Sequence, residues 1–150
     1  MLHCSRKTRL ALEAVLDIAY NARPDPVQSR DVTARLGIPQ RYLEQVMQHL
    51  VRVGVLKGVR GPRGGYTLAR ERRRVTVGEV IRAVDELERA EEEHEEPTSD
   101  LGLRVARPLW IEAQNAALER LDALTMEELC QRAAEMGVPR AGQPVADFTI

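Results

Sequence analysis

The segment from Val59 to Arg70, VRGPRGGYTLAR, restricts the fold more than any other stretch of the chain. Gly61, Pro62, Gly64 and Gly65 exclude a regular helix through its middle. Val55-Leu56-Lys57-Gly58-Val59 on one side and Tyr66-Thr67-Leu68-Ala69 on the other favour extended backbone. The whole reads as a β-hairpin whose tip carries Arg60 and Arg63. Such a tip could hold a phosphate, act as a hinge, or present arginines to a larger polyanion. A nucleotide phosphate loop requires Gly-x4-Gly-Lys-Ser/Thr, and GPRGGYT has neither the spacing nor the lysine. The flanking strand-forming residues argue against a plain hinge.

What precedes the hairpin is helical. Apolar residues at 10, 11, 14, 15, 18 and 19 recur every three or four positions and predict an amphipathic helix over 7–21, stopped by the Pro-containing turn at 23–26. A short second helix is predicted with Ser29 as N-cap, Val32 and Leu36 on one face and Gly37 as C-cap. Ile38-Pro39 opens a third, with Leu43, Val46, Leu50 and Val53 as its apolar stripe and Gly54 as its end. The opposite face carries Gln40, Arg41, Glu44, Gln45, Gln48 and Arg52. Three helices followed by a hairpin give the order of a winged helix-turn-helix.

After the hairpin, Thr76-Val77-Gly78-Glu79 reads as a capping box opening a short fourth helix. Residues 87–107 read as an acidic loop, its carboxylate run broken by Arg89 and followed by Pro97-Thr98-Ser99-Asp100. A long helix resumes by Pro108, with an apolar arc of Leu109, Trp110, Ala113, Ala117, Leu121 and Leu124 that needs a partner. Thr125-Met126-Glu127-Glu128 is a second capping box, starting a helix to about Met136. Residues 137–150 are expected to be a loosely ordered tail. The fold class is therefore mainly α: a winged helix-turn-helix over 1–86 with a small hairpin wing, and over 108–136 a long C-terminal dimerisation helix with a short one after it.

Composition agrees. At 150 residues and 43% apolar content the chain suffices for one core, and 3% aromatic content means a core of Leu, Val, Ile and Ala. The net charge of −1 conceals segregation: residues 1–74 hold 15 Lys+Arg against 6 Asp+Glu, and residues 75–150 hold 7 against 17. A basic half of this kind is an electrostatic footprint for nucleic acid, although membranes and acidic proteins also attract it. No run approaches the ~18 apolar residues of a membrane span, and there is no leader-like apolar stretch. Cys4 and Cys130, far apart in sequence, fit reduced thiols in a cytoplasmic protein.

With Tyr42-Leu43-Glu44-Gln45 in the third helix, Val59-Arg60-Gly61-Pro62-Arg63-Gly64-Gly65-Tyr66 in the wing and Thr76-Val77-Gly78-Glu79-Val80 after it, the chain resembles the IscR/NsrR/CymR family of bacterial winged-helix transcription regulators. The likeness continues through Leu109-Trp110 and Thr125-Met126-Glu127-Glu128-Leu129, covering roughly residues 1–136. It implies a homodimer that pairs the long helix with its twin and sets two recognition helices and two wings on a palindromic operator, most simply as a repressor. It also implies a sensor. Cluster-binding members carry three close cysteines in the loop before the long helix, and residues 87–107 here contain none, so no iron–sulfur cluster is expected. The cysteine-metabolism branch of the family lacks the cluster too and works through a protein partner, which leaves a regulatory protein as one route for the input. Metal held by His94 among its glutamates, and Cys4 beside Arg6 and Lys7 as a redox switch, are the other routes; a solvated loop and a small hydrophobe are the plain readings of the two features.

Double-stranded DNA is thus the expected partner. On the third helix Arg41 suits guanine, Gln40 or Gln45 adenine, and Glu44 the amino group of cytosine. The resemblance sets Glu44 against bases, and Tyr42 is divided between packing and a phosphate contact. Gln48 and His49 are read as solvent-exposed and left out. Arg60 suits a narrow minor groove, Arg63 a phosphate, and Gly64 and Gly65 let the wing backbone come close. Lys57, Arg9 and Arg52 are lesser phosphate candidates, and Arg72, Arg73 and Arg74 are either contacts or solvated. A protein-interaction module using the acidic half is the competing class. An enzyme is not expected: no nucleophile–base or paired-carboxylate constellation is present, and His3, His49 and His94 are scattered.

Overall fold

The computed structural model describes residues 4–22, 24–91 and 95–142. Helix α1 spans Arg6–Asn21, and Ser5 caps it by accepting from the Thr8 N–H. Its inner face, Leu10, Ala11, Ala14, Val15 and Ile18, is buried, as the spacing predicts. Helix α2 spans Ser29–Leu36, but its N-cap is Gln28, so Ser29 is the first helical residue rather than the cap. Gly37, at φ 67°, turns the chain through a conformation that disfavours other residues and leads by way of Pro39 into α3, Gln40–Arg52.

Strands β1, Leu56–Val59, and β2, Gly65–Leu68, pair antiparallel with Leu56 opposite Leu68 and Val59 opposite Gly65. Val27, ahead of α2, exchanges both backbone hydrogen bonds with Tyr66 and fastens the hairpin to the helices. A 3-10 turn, Arg72–Arg74, leads to α4, Val77–Glu91. Thr76 accepts from the Glu79 N–H, yet Glu79 turns its carboxylate to Arg70, so only half of the expected capping box forms.

α4 is longer than its sequence suggests and occupies the start of the span read as an acidic loop. Its outer side stays charged, with the i,i+4 pair Asp85–Arg89, and a charged outer face is compatible with helix as well as with loop. Helical backbone resumes at Asp100, passes through one π-helical stretch at Gly102–Ala106, and becomes α5, Arg107–Asp122. Pro108 has no N–H to donate and crowds the turn before it, which accounts for the widened coil in which the Arg107 N–H reaches the Gly102 carbonyl. His94 lies outside the described residues, and so does its metal reading.

α6 spans Met126–Glu135 and has the full capping box between Thr125 and Glu128. It is not an appendage of the long helix. Met126 is wholly buried and Cys130 nearly so, in the same core as Ile18, Leu43, Met47, Leu50, Leu56 and Val80. Burying a methionine of this kind contributes about 1.5–3 kcal/mol, enough to make α6 part of the winged unit. Residues 138–141 at the start of the predicted tail are tied to α1, and residues 143–150 lie outside the described residues. The Tyr20 hydroxyl donates to the Val138 carbonyl at 2.6 Å, Arg140 lies over the Tyr20 ring, and the Ala141 N–H donates to Asn21 Oδ1 at 2.8 Å.

Two further expectations need correction. Val53 does not extend the buried stripe of α3: it follows the helix as its C-cap, beside Gly54 at φ 82°, and is exposed. His49 is not solvent-exposed. It sits at 8% exposure against α4, where Nε2 donates to the Ala83 carbonyl at 2.7 Å, while Nδ1 has no partner among the described residues.

Candidate nucleic-acid interface

Helix α3 divides cleanly. Leu43, Val46, Met47 and Leu50 point into the core, and this anchoring turns Gln40, Arg41, Gln45 and Gln48 fully outward with Tyr42 and Glu44 half-buried. Gln40 Nε2 donates to Glu44 Oε1 at 3.0 Å, one turn apart, so the two share a single surface position. Tyr42 is covered on one side by the guanidinium of Arg6, 5.5 Å from its ring centre. The sequence reading missed Arg6 because a residue preceding the first apolar repeat gives no sign of which helix it will touch.

The wing tip is built by its glycines. The Gly64 N–H donates to the Gly61 carbonyl at 2.9 Å, and a side chain on Gly64 would come within 2.4 Å of the Val59 carbonyl oxygen. One on Gly65 would come within 2.4 Å of the Val27 carbonyl oxygen, where the hairpin fastens to the helices. Close approach within the chain itself therefore accounts for both glycines. Arg60 precedes this turn, Arg63 lies within it, and both are exposed.

Charge pairing separates the basic residues into two groups. Lys7 is held by Glu91, whose carboxylate raises its ammonium above the ordinary value of 10.5. Arg35 forks onto Asp17 at 2.7 and 2.8 Å, Arg70 pairs with Glu79, Arg72 with Glu127 and Arg73 with Glu71. Arg41, Arg52, Lys57, Arg60 and Arg63 have no carboxylate partner among the described residues; the basic side chains on α3 and the hairpin are thus left uncompensated. Arg72 and Arg73, undecided in the sequence, are engaged within the chain.

The predicted dimerisation residues do not behave alike. Leu109 is 65% exposed and Trp110 51%, and Ala113 is exposed as well. Leu121 and Leu124, and less so Ala117, are half-buried, the two leucines against the core of their own chain. Beside the predicted arc, Leu101, Leu103, Val105 and Ile111 are exposed too.

Residues 4–132 match the family model Rrf2, described as iron-dependent transcriptional regulators. The chain belongs to the Rrf2 family. Its curated relatives include the HTH-type transcriptional regulator IscR of Escherichia coli and of Cronobacter sakazakii, each 44% identical over 85 residues. That match covers 57% of this chain and 52% of theirs, so the chain spans about half the length of the curated relatives it matches. Among solved structures, IscR of T. potens superposes with a TM-score of 0.73 at 29% identity, covering 93% of both chains. CymR, described as the global cysteine regulator of B. subtilis, gives 0.69 at 30% identity, covering 88% of this chain and 98% of that one. The winged-helix fold is common to this Rrf2 chain and these neighbours, and the relatives are named as regulators, not enzymes.

Proposed function

We propose that this Rrf2 protein is a sequence-specific DNA-binding repressor that acts in the bacterial cytoplasm as a homodimer on a palindromic operator. The observation that carries this reading is where unpaired charge gathers: Arg41 and Arg52 on α3 and Lys57, Arg60 and Arg63 on the wing are exposed, and none has a carboxylate partner among the described residues. In this reading α3 enters the major groove. Arg41 donates to guanine, Gln45 serves adenine, and Glu44, steadied by Gln40, accepts from cytosine. Arg60 enters the minor groove and Arg63 meets a phosphate. Tyr42, under Arg6, sits at the border of the base-reading face.

The open face of α5 supports the homodimer. A two-fold dimer covers the same patch twice, and Leu109, Trp110 and Ala113 are the part of the predicted arc that their own chain leaves bare. The family description speaks of iron, but the thiolate set here does not fit an iron–sulfur cluster. Such clusters take several cysteines; this chain has Cys4, exposed ahead of α1, and Cys130, buried in α6, and none in residues 87–107. No group of three potential metal ligands is gathered among the described residues. In this reading the input takes a route without a cluster: a protein partner, a metal or thiol chemistry.

The test is fluorescence anisotropy against duplexes selected from a random pool, repeated over a salt series. Selected duplex should outcompete random duplex, with affinity falling steeply as salt rises. Glu44→Ala should cost about 1–3 kcal/mol and relax base preference at one position. Arg60→Ala should weaken binding and lower the salt slope by about 1. Equal affinity for selected and random duplex would end the reading; unchanged affinity in both variants would end this docking mode.

A further inference from the structure

Apart from the DNA-facing surface, the structure contains a cleft of about 380 Å³ where the C-terminal end of α1, strand β2, the 3-10 turn and the start of α6 meet. One wall is apolar, formed by Leu68 and Ala22; the other is charged, formed by Arg72, Arg73 and Glu127, with Thr67 at the strand. The volume is in the range that holds a small metabolite.

Arg72 is the informative residue. Only 11% of its side chain is exposed, yet its hydrogen bonding is incomplete. Nε lies 3.0 Å from Glu127 Oε2, but its N–H is not directed at that oxygen, so the contact is charge attraction without an aligned bond. Nη1 is buried with no acceptor among the described residues. A guanidinium taken from water and left with unmet donors is costly, and in folded proteins such a group is usually completed by an ion, a ligand or a water. The cleft's arginines, including Arg70, outnumber its carboxylates, Glu71 and Glu127, and Arg73 and Glu71 are paired on the open surface where such pairs are weak.

We propose that this cleft binds a small metabolite with an anionic oxygen group, a carboxylate or a phosphate, at Arg72 and an apolar body against Leu68 and Ala22. The anion completes the Arg72 hydrogen bonds and competes with Glu127 for its charge, while Arg73 contributes from the rim. Such a ligand touches the base of the wing through Thr67 and Leu68 and the first turn of α6 through Glu127. Its consequence for DNA binding rests on the function proposed above; its binding does not.

The experiment is therefore done without DNA, by calorimetry at low salt on the full chain, with 4-methylpentanoate and inorganic phosphate as separate probes. Saturable binding of 4-methylpentanoate with phosphate much weaker assigns a carboxylate on an apolar body; the reverse order assigns a phosphoryl group; either supports the site. Arg72→Lys, which keeps the charge but loses the fork, should weaken the bound probe about tenfold. Arg73→Gln, on an exposed side chain that leaves folding intact, should weaken it several-fold. No saturable binding of either probe at millimolar concentration overturns the proposal, and so does binding unchanged in both variants, the mark of an ion held elsewhere. Ligand binding by a chain that fails to select DNA would leave the site standing and remove only its regulatory meaning.

Discussion

Ile18, Leu43 and Leu50 are closed off from water completely, whereas Leu109 keeps 65% of its surface exposed and Trp110 51%. All five are large apolar side chains on helices. The difference lies in what surrounds them: the first three sit where α1, α3, α4 and α6 converge, and the last two sit on the first turn of α5, which touches its own chain mainly near Leu121 and Leu124. Apolar content alone therefore does not fix burial. In one region it closes a core, and in the other it leaves a surface that the described residues do not cover.

Substitution should separate the two regions most sharply. Leu50→Ala is expected to lower unfolding stability by about 2–5 kcal/mol in chemical denaturation, while Leu109→Ala at low protein concentration should change it by no more than about 0.5 kcal/mol. Equal losses would mean that α5 is already covered. Next in size is the join between the regions. A side chain on Gly78 would come within 2.0 Å of Asp122 Oδ1 and 3.0 Å of its backbone nitrogen, and Arg82 grips that carboxylate. Gly78→Ala should cost about 1–3 kcal/mol by pushing α5 outward, seen as a lower Tm.

A smaller, spectroscopic effect concerns the open face. Trp110 is the sole tryptophan, so its emission should move to shorter wavelength as protein concentration rises through dimer formation, in step with sedimentation. Emission that stays constant while the sedimenting mass doubles would move the interface off this face. The smallest effect is one of pH. Arg82 beside Asp122 holds its carboxyl below the ordinary value of 3.8. A depressed carboxyl contributes stability that is present above its unfolded value and lost as pH falls through the folded one. The loss therefore belongs below about pH 3.8, and Asp122→Asn should remove that part of the acid limb in a stability–pH series.

Much of the fold was legible because it depends on local rules. Period-3.6 apolar residues set α1 and α3, Gly37 and Gly54 end helices, and the strand-forming residues around 61–65 leave a hairpin as the solution. What escaped depends on tertiary neighbours. His49 gave no sign of burial, because the carbonyl it needs belongs to Ala83, 34 residues later. The length of α4 was obscured because an acidic run looks alike as an exposed helix face and as a loop. The outward side chains of α3 followed from its stripe. The division of the arginines into paired and unpaired did not, since Arg72 finds Glu127 only through the packing of α6.

The backbone seam beside Thr76 and Thr125 has a consequence for how this architecture tolerates change. The Val77 N–H donates to the Leu124 carbonyl and the Met126 N–H to the Val75 carbonyl, at 2.9 and 2.8 Å, so residues 75–77 and 124–126 are laced together. Between these joined ends, α4 lies in the core through Val80, Ala83 and Val84, and the end of α5 returns to it at Leu121. A change of length between α4 and α5 leaves the two ends joined at the seam, beside an α6 held by the burial of Met126 and Cys130. A chain built this way can change the length or composition of the segment that joins α4 to α5 without disturbing the seam.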